Sequence, residues 1–202
     1  MVIAFHIILT GHAHWLPNGP RGSKSRSLRK ERLGELGGIH HGRKPRQPPP
    51  EEIRRFHREA RRRLDHPAPW FDEAHRRAIG EAFGRVVRER RLTCRACSVL
   101  RNHAHLLVRK HRLPGEEIAR RLKDASRQAL ISAGLAYAGH PVWSENDCAV
   151  FRDTPRAVRE AADYIWGNFG KHRIAPRRWP FVAAYDTRPF HKKRWASPAG
   201  LP

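Results

Sequence analysis

The chain has 202 residues and carries 41 Lys and Arg against 19 Asp and Glu, a net charge of +22 with neutral histidines. That length suits one domain with extended arms, and the cation excess predicts a polyanionic partner, because Lys and Arg release the counterions condensed on phosphates. An odd count of three cysteines argues against a disulfide framework and for a reducing compartment, and no apolar run reaches the length of a membrane span.

Val2–Thr10, VIAFHIILT, is rich in β-branched residues and ends at Gly11, so it reads as a buried first strand. It lacks the basic leader and small-residue cleavage site of a signal peptide. From Trp15 to Pro50 the chain turns to Gly, Pro, Ser and basic residues. Arg21, Lys24, Arg26, Arg29 and Lys30 there form either a basic arm that orders on nucleic acid or a solvated linker. Glu51–Leu64 reads as an Arg-rich helix after the Pro48-Pro49-Pro50 stop. Asp72 caps a helix over Glu73–Arg90, with Ala74, Ala78, Ile79, Ala82, Phe83 and Val86 as its apolar stripe.

Leu92–Leu100 and Asn102–Arg109 read as two strands joined tightly into a hairpin. After the Pro114-Gly115 break, Glu116–Ala133 is helical. Ile118, Leu122, Ala125 and Ala129 fall on one stripe of it. Arg120, Lys123 and Arg127 fall on the other, for phosphate contact or as a solvated face. Pro141–Phe151 reads as a fourth strand. Thr154 caps a last helix with Pro155 in its first turn, running to about Phe169 and stopping at Gly170. The remainder is basic and aromatic. Lys171 and Arg173 there are candidate DNA contacts, and a short strand is expected near Phe181–Ala184. No long basic helix with a bulky apolar face stands out, which ranks nucleic acid ahead of a lipid surface as the partner.

The order strand, helix, strand, strand, helix, strand, helix predicts an α+β fold. It is the split βαβ pattern of a ferredoxin-like antiparallel sheet with helices on one face, plus a C-terminal tyrosine-bearing helix. A single domain over 1–185 is expected, with a basic insertion at about 15–64 and a basic tail at 186–202.

The chemistry centres on Ser98–Lys110, SVLRNHAHLLVRK. In a strand, residues two apart share a face. His103, His105 and Leu107 therefore lie on one side, and Ala104, Leu106 and Val108 on the other. Two such imidazoles are either half-exposed surface histidines or a pair able to hold one metal ion. On the last helix, Val158, Ala162, Ile165 and Phe169 form the apolar stripe, and Tyr164 and Asn168, four apart, stack on one flank. Imidazoles favour zinc-type ions, whereas an oxygen-rich octahedral site suits magnesium or manganese. Cys94 and Cys97 with the two histidines offer a structural zinc site as a rival. Residues three apart in a strand, however, are expected on opposite faces.

Together these features resemble the HUH single-tyrosine transposases, especially the REP-associated type. The matching residues are Asn102-His103-Ala104-His105-Leu106-Leu107, Leu122-Lys123, Val142-Trp143, Tyr164-Ile165 with Asn168, and Trp15-Leu16-Pro17-Asn18 followed by Pro20-Arg21-Gly22-Ser23. The resemblance covers roughly Ile3 to Phe181. It departs from the family at Leu100-Arg101, where Met-Pro is common, and at Asn168-Phe169, where Asn-Pro is usual. It implies a DNA endonuclease and strand transferase that cleaves and rejoins single-stranded DNA near hairpins through a phosphotyrosine intermediate. Tyr164 would be the nucleophile, and His103, His105 and Asn168 would hold magnesium or manganese. A cytoplasmic, nucleoid-associated bacterial setting is implied, with a monomer or a homodimer and no membrane partner. The alternative is a non-catalytic, domesticated binder of single-stranded or hairpin nucleic acid.

Overall fold

The computed structural model describes residues 2–14, 16, 36, 48–145, 148–183 and 185. In chain order the elements are β1 (Ala4–Thr10), α1 (Pro50–Arg62), α2 (Glu73–Glu89), β2 (Cys94–Val99), β3 (His103–Arg109), α3 (Gly115–Ser132), β4 (Cys148–Arg152) and α4 (Pro155–Lys171). The strands form one sheet in the order β2-β3-β1-β4, antiparallel throughout. With α2 and α3 as the two crossovers, this is the ferredoxin-like α+β arrangement expected from the element order. The basic arm residues Arg21, Lys24, Arg26, Arg29 and Lys30, and the tail at 186–202, lie outside the described residues. Among the described residues no helix is long and apolar enough to cross a membrane.

Strand alternation divides the core in two. Phe5, Ile7 and Leu9 of β1 join Ala104, Leu106 and Val108 of β3 against Ile79, Phe83 and Val86 of α2 and Ile118 and Leu122 of α3. Each of the larger side chains among these contributes about 1.5–3 kcal/mol on burial. On the other face, Ala4, Ala96 and Leu107 pack against Val158, Ala161 and Ile165 of α4. The last helix thus packs on the sheet face opposite α2 and α3, seated on Leu107. Leu107→Ala would cost about 2–5 kcal/mol and loosen that seat.

Helix starts follow local chemistry. Asp72 accepts a hydrogen bond from the His75 backbone N–H at 3.0 Å, and Thr154 accepts from Ala157 N–H at 3.1 Å. The ends differ from expectation in two places. α4 runs through Gly170 to Lys171, and the His172 N–H closes it on the Asn168 carbonyl at 3.0 Å. Gly170 takes the helical conformation like any residue, so its presence alone does not stop a helix. The expected strand over Pro141–Phe151 is ordered as a strand only over Cys148–Arg152. Val142 explains this: its φ is +61°, in the left-handed region that a β-branched residue rarely enters. It is held there by its N–H bond to His140 Nδ1 at 2.9 Å and by His12 N–H on its carbonyl at 2.8 Å. Among the described residues the upstream pairing comes down to an isolated bridge, Gly11 to Trp143, with Ser144 N–H bonded to the Thr10 carbonyl at 2.8 Å. The short strand near Phe181 is likewise one parallel bridge, Cys94 to Val182. That segment is pinned by Trp179, whose six-membered ring lies on Gly80 of α2. A Cβ at Gly80 would fall 2.0 Å from the indole.

Candidate active site

The site begins with the β3 alternation. His103, His105 and Leu107 project toward α4, as the strand period requires. The rings of His103 and His105 lie 4.9 Å apart at 87°. β1 runs antiparallel beside β3 and pairs His6 with Leu107 and Ile8 with His105. His6 therefore points to the same face, diagonal to His105. Its ring is 5.2 Å from that of His105, and His6 Nε2 is 3.1 Å from His105 Nδ1.

α4 lays its tyrosine on this group. The Tyr164 ring is 5.6 Å from His105 and 6.0 Å from His6, and the residue is 47% exposed. The phenol thus borders the imidazoles and solvent at once. Lys171, two turns later, places Nζ 4.4 Å from the Tyr164 ring centroid. The ring of His172, just past the helix, lies 5.0 Å from His103. Asn168 is only 3% exposed, and its Nδ2 donates to the Tyr164 carbonyl at 2.9 Å. Its bond is therefore made within α4 rather than to the imidazoles. Of the four expected residues, His103, His105 and Tyr164 come together, and Asn168 sits one turn beyond Tyr164.

Burial decides the charge state. Loss of water lowers the His105 pKa to about 2, with help from the positive charge that His103, His6, His172 and Lys171 can carry. The same cause, first burial and then neighbouring His172, brings His103 to about 4. Burial and then Arg152 bring His6 to about 4. All three rings are neutral at pH 7. His103 is oriented to coordinate: Nδ1 donates to Asn102 Oδ1 at 2.7 Å, leaving a lone pair on Nε2. His105 Nε2 is buried without a hydrogen-bond partner, as is Oγ of Ser98, its cross-strand neighbour on β2. An unpartnered buried polar atom costs about 1–3 kcal/mol, and a divalent cation would remove that cost once the His105 proton resided on Nδ1. To this extent the donors fit a divalent cation, with imidazole nitrogen the donor type of zinc-like ions more than of magnesium. Among the described residues no group of three or more His, Cys, Asp or Glu is arranged to hold a metal ion. The set of residues in question is two imidazoles and an amide. His6 is not a third ligand, because its two nitrogens face His105 and Arg152.

The basic residues separate into two groups. Lys171, the last residue of α4, and Arg173, two residues beyond it, are exposed, and Lys171 reaches over the Tyr164 ring. Arg120, Lys123 and Arg127 belong to α3, whose core contacts lie on the opposite sheet face. Arg120 pairs with Glu117 and Asp124, Lys123 donates to the carbonyls of Ser144 and Glu145, and Arg127 donates to those of His140 and Ala138. The α3 cations thus fasten their own helix and the loop beyond it, whatever else they contact.

The cysteines correct a geometric expectation. Cys94 and Cys97 both enter the α2 side of the core, not opposite faces, because the β2–β3 register slips between Cys94 and Ala96. Burial raises the Cys94 thiol to about 12 and Cys97 well above its usual value. They therefore remain thiols, on the face away from His103 and His105.

Sequence reasoning missed His6 and His172. His6 sits in a strand that reads as uniformly apolar. Only its alternation with Phe5 and Ile7, combined with β1–β3 pairing, would have placed it beside His105. His172 had no periodic signal, since it lies one residue past the helix. The chain matches no model of a known protein family and no curated protein.

Proposed function

We propose that the protein cleaves and rejoins single-stranded DNA near hairpins, with Tyr164 as nucleophile and His103, His105 and Asn168 as holders of a divalent cation. The observation that carries this is the meeting of an exposed phenol on α4 with two neutral imidazoles on β3, one of which keeps a buried, unpartnered nitrogen. The resemblance of the surrounding residues to HUH single-tyrosine transposases supports it. So does a net charge of +22, which suits a polyanionic substrate.

Each group has a distinct task. A phenol with an ordinary pKa of about 10 is a weak nucleophile at neutral pH. Its target must be made easier to attack. Magnesium or manganese, when bound, neutralises charge on the scissile phosphate and orients it. His103 and His105 supply rigid strand-borne nitrogens, and Asn168 supplies an amide on the helix that carries the phenol. Tyr164 Oη forms a bond to phosphorus as the bond to the leaving 3′ oxygen breaks. The phenolic proton passes to solvent and the leaving oxygen gains one. A 5′-phosphotyrosine link and a free 3′ hydroxyl result. Attack by a 3′ hydroxyl reverses the step, so the phosphodiester bond energy is retained and no nucleotide cofactor is needed. Lys171 adds a cation beside the ring. The enzyme would act in the cytoplasm on nucleoid DNA, as a monomer or a homodimer.

The test is a denaturing gel with labelled single-stranded hairpin DNA and manganese. A covalent protein–DNA band and a nicked product are expected from the wild type, with both absent from Tyr164→Phe while DNA binding persists. Salt-sensitive binding without nicking in the wild type would instead favour a non-catalytic binder.

A further inference from the structure

His103 and His105 are held in opposite ways. Asn102 Oδ1 accepts from His103 Nδ1, so the lone pair of His103 is on Nε2. His105 Nδ1 faces His6 Nε2 at 3.1 Å, and His6 Nδ1 faces Arg152 Nη2 at 3.3 Å. Arg152 pairs with Ala4 across β1–β4, which sets it on the same sheet face as His6. A guanidinium can only donate. His6 Nδ1 is therefore an acceptor, and the one proton of neutral His6 sits on Nε2. That proton is donated to His105 Nδ1. Neutral His105 then carries its own proton on Nε2, the buried atom with no partner. A protonated nitrogen has no lone pair for a cation.

We propose that Arg152, His6 and His105 form a relay that sets which nitrogen of His105 is protonated, and that a divalent cation on His105 and the Arg152–His6 hydrogen bond exclude each other. This rests on the assignment of His105 as a cation ligand. For His105 to coordinate through Nε2, its proton must reside on Nδ1 and be donated to His6 Nε2. His6 then bears its proton on Nδ1, where it meets a donor, and Arg152 swings away. The protons balance: one leaves His105 Nε2, one crosses the His6–His105 hydrogen bond, and one arrives at His6 Nδ1. Neither ring changes charge. Arg152 is thus a built-in competitor of the cation, acting through His6. His6 is a positioning residue rather than a catalytic one. His103, with Asn102 as its acceptor, needs no such rearrangement.

Two measurements on the full chain test this. Long-range nitrogen–proton NMR of histidine-labelled, metal-free protein should show the Nε2–H form for His6 and His105 and the Nδ1–H form for His103. An Nδ1–H form at His105 would overturn the relay. Calorimetry with manganese alone should show tighter binding to Arg152→Gln by about tenfold, because the amide oxygen can accept from His6 Nδ1–H. Arg152→Lys, which keeps a donor, should bind as the wild type does. Equal or weaker binding by a folded Arg152→Gln protein would overturn the exclusion. If no protein binds manganese, the cation assignment fails and the exclusion with it, whereas manganese binding that ignores Arg152 removes the exclusion alone.

Discussion

Two groups of histidines lie in this molecule, and they differ in what their nitrogens face. At the end of the sheet, His12, His66 and His140 have ring centroids 5.5–6.2 Å apart, close to the spacings among His6, His103 and His105. There, both His140 nitrogens are engaged, donating to the Pro67 carbonyl at 2.8 Å and accepting from Val142 N–H at 2.9 Å. His14 nearby donates to the Pro69 carbonyl at 2.6 Å. His66 meets the Tyr137 hydroxyl at 2.5 Å. The rings of His14, His66 and His140 thus pin loops. In the central group a buried nitrogen is left without a partner, beside an exposed phenol. Clustering of imidazoles alone therefore says little; the inventory of their hydrogen bonds separates a structural group from a chemical one.

The sharpest way to break that comparison is to delete one ring from each group. His105→Ala should abolish strand cleavage and weaken manganese binding by about 10²-fold while the protein stays folded, read by nicking gels and calorimetry. His140→Ala should do the reverse. It should lower stability by about 1–3 kcal/mol in urea, through the unpaired Pro67 and Val142 groups, and leave nicking intact. If His140→Ala also abolished nicking in a folded protein, the division would fail.

Acid should sharpen it further. Burial lowers His6 and His103 from 6.5 to about 4. A histidine whose folded pKa lies below its unfolded value is protonated first in the unfolded chain. Stability is thus unaffected above about pH 6.5 and falls as pH drops from there toward 4. His6 accounts for at most about 3 kcal/mol of this loss. Urea unfolding from pH 7 to pH 4 should show the decline, and His6→Gln should lessen it by that share, with His12, His103 and His105 carrying the rest. The smallest effect expected is on DNA binding. Lys171→Ala and Arg173→Ala should each reduce the salt slope by about one. Arg120→Ala should leave it unchanged, because that guanidinium already pairs with Glu117 and Asp124.

The parts legible in the sequence were those with a local period. The alternation of β3 placed His103 and His105 on one face, and the α4 spacing set Tyr164 at the edge of its apolar stripe, where the structure has them. What remained hidden depended on long-range pairing or on backbone irregularity. His6 needed the β1–β3 register. The β2 slip moved Cys94 and Cys97 to one side, and the left-handed Val142 cut the fourth strand short. Asn168 was expected on a flank beside the apolar stripe and is buried, because the buried line of α4 runs through Val158, Ala161 and Ile165 to Asn168 rather than through Ala162.

The central claim is that the phenol of α4 attacks a phosphate held at the two β3 imidazoles. It is tested most directly by mass spectrometry of protein incubated with single-stranded hairpin DNA and manganese, then trimmed with nuclease. The chain has three tyrosines. A nucleotide linked through its 5′ phosphate to Tyr164, and to neither Tyr137 nor Tyr185, is the predicted result. A link at another residue, or an adduct at Tyr164 that forms equally well in the His103→Ala and His105→Ala proteins, would contradict it.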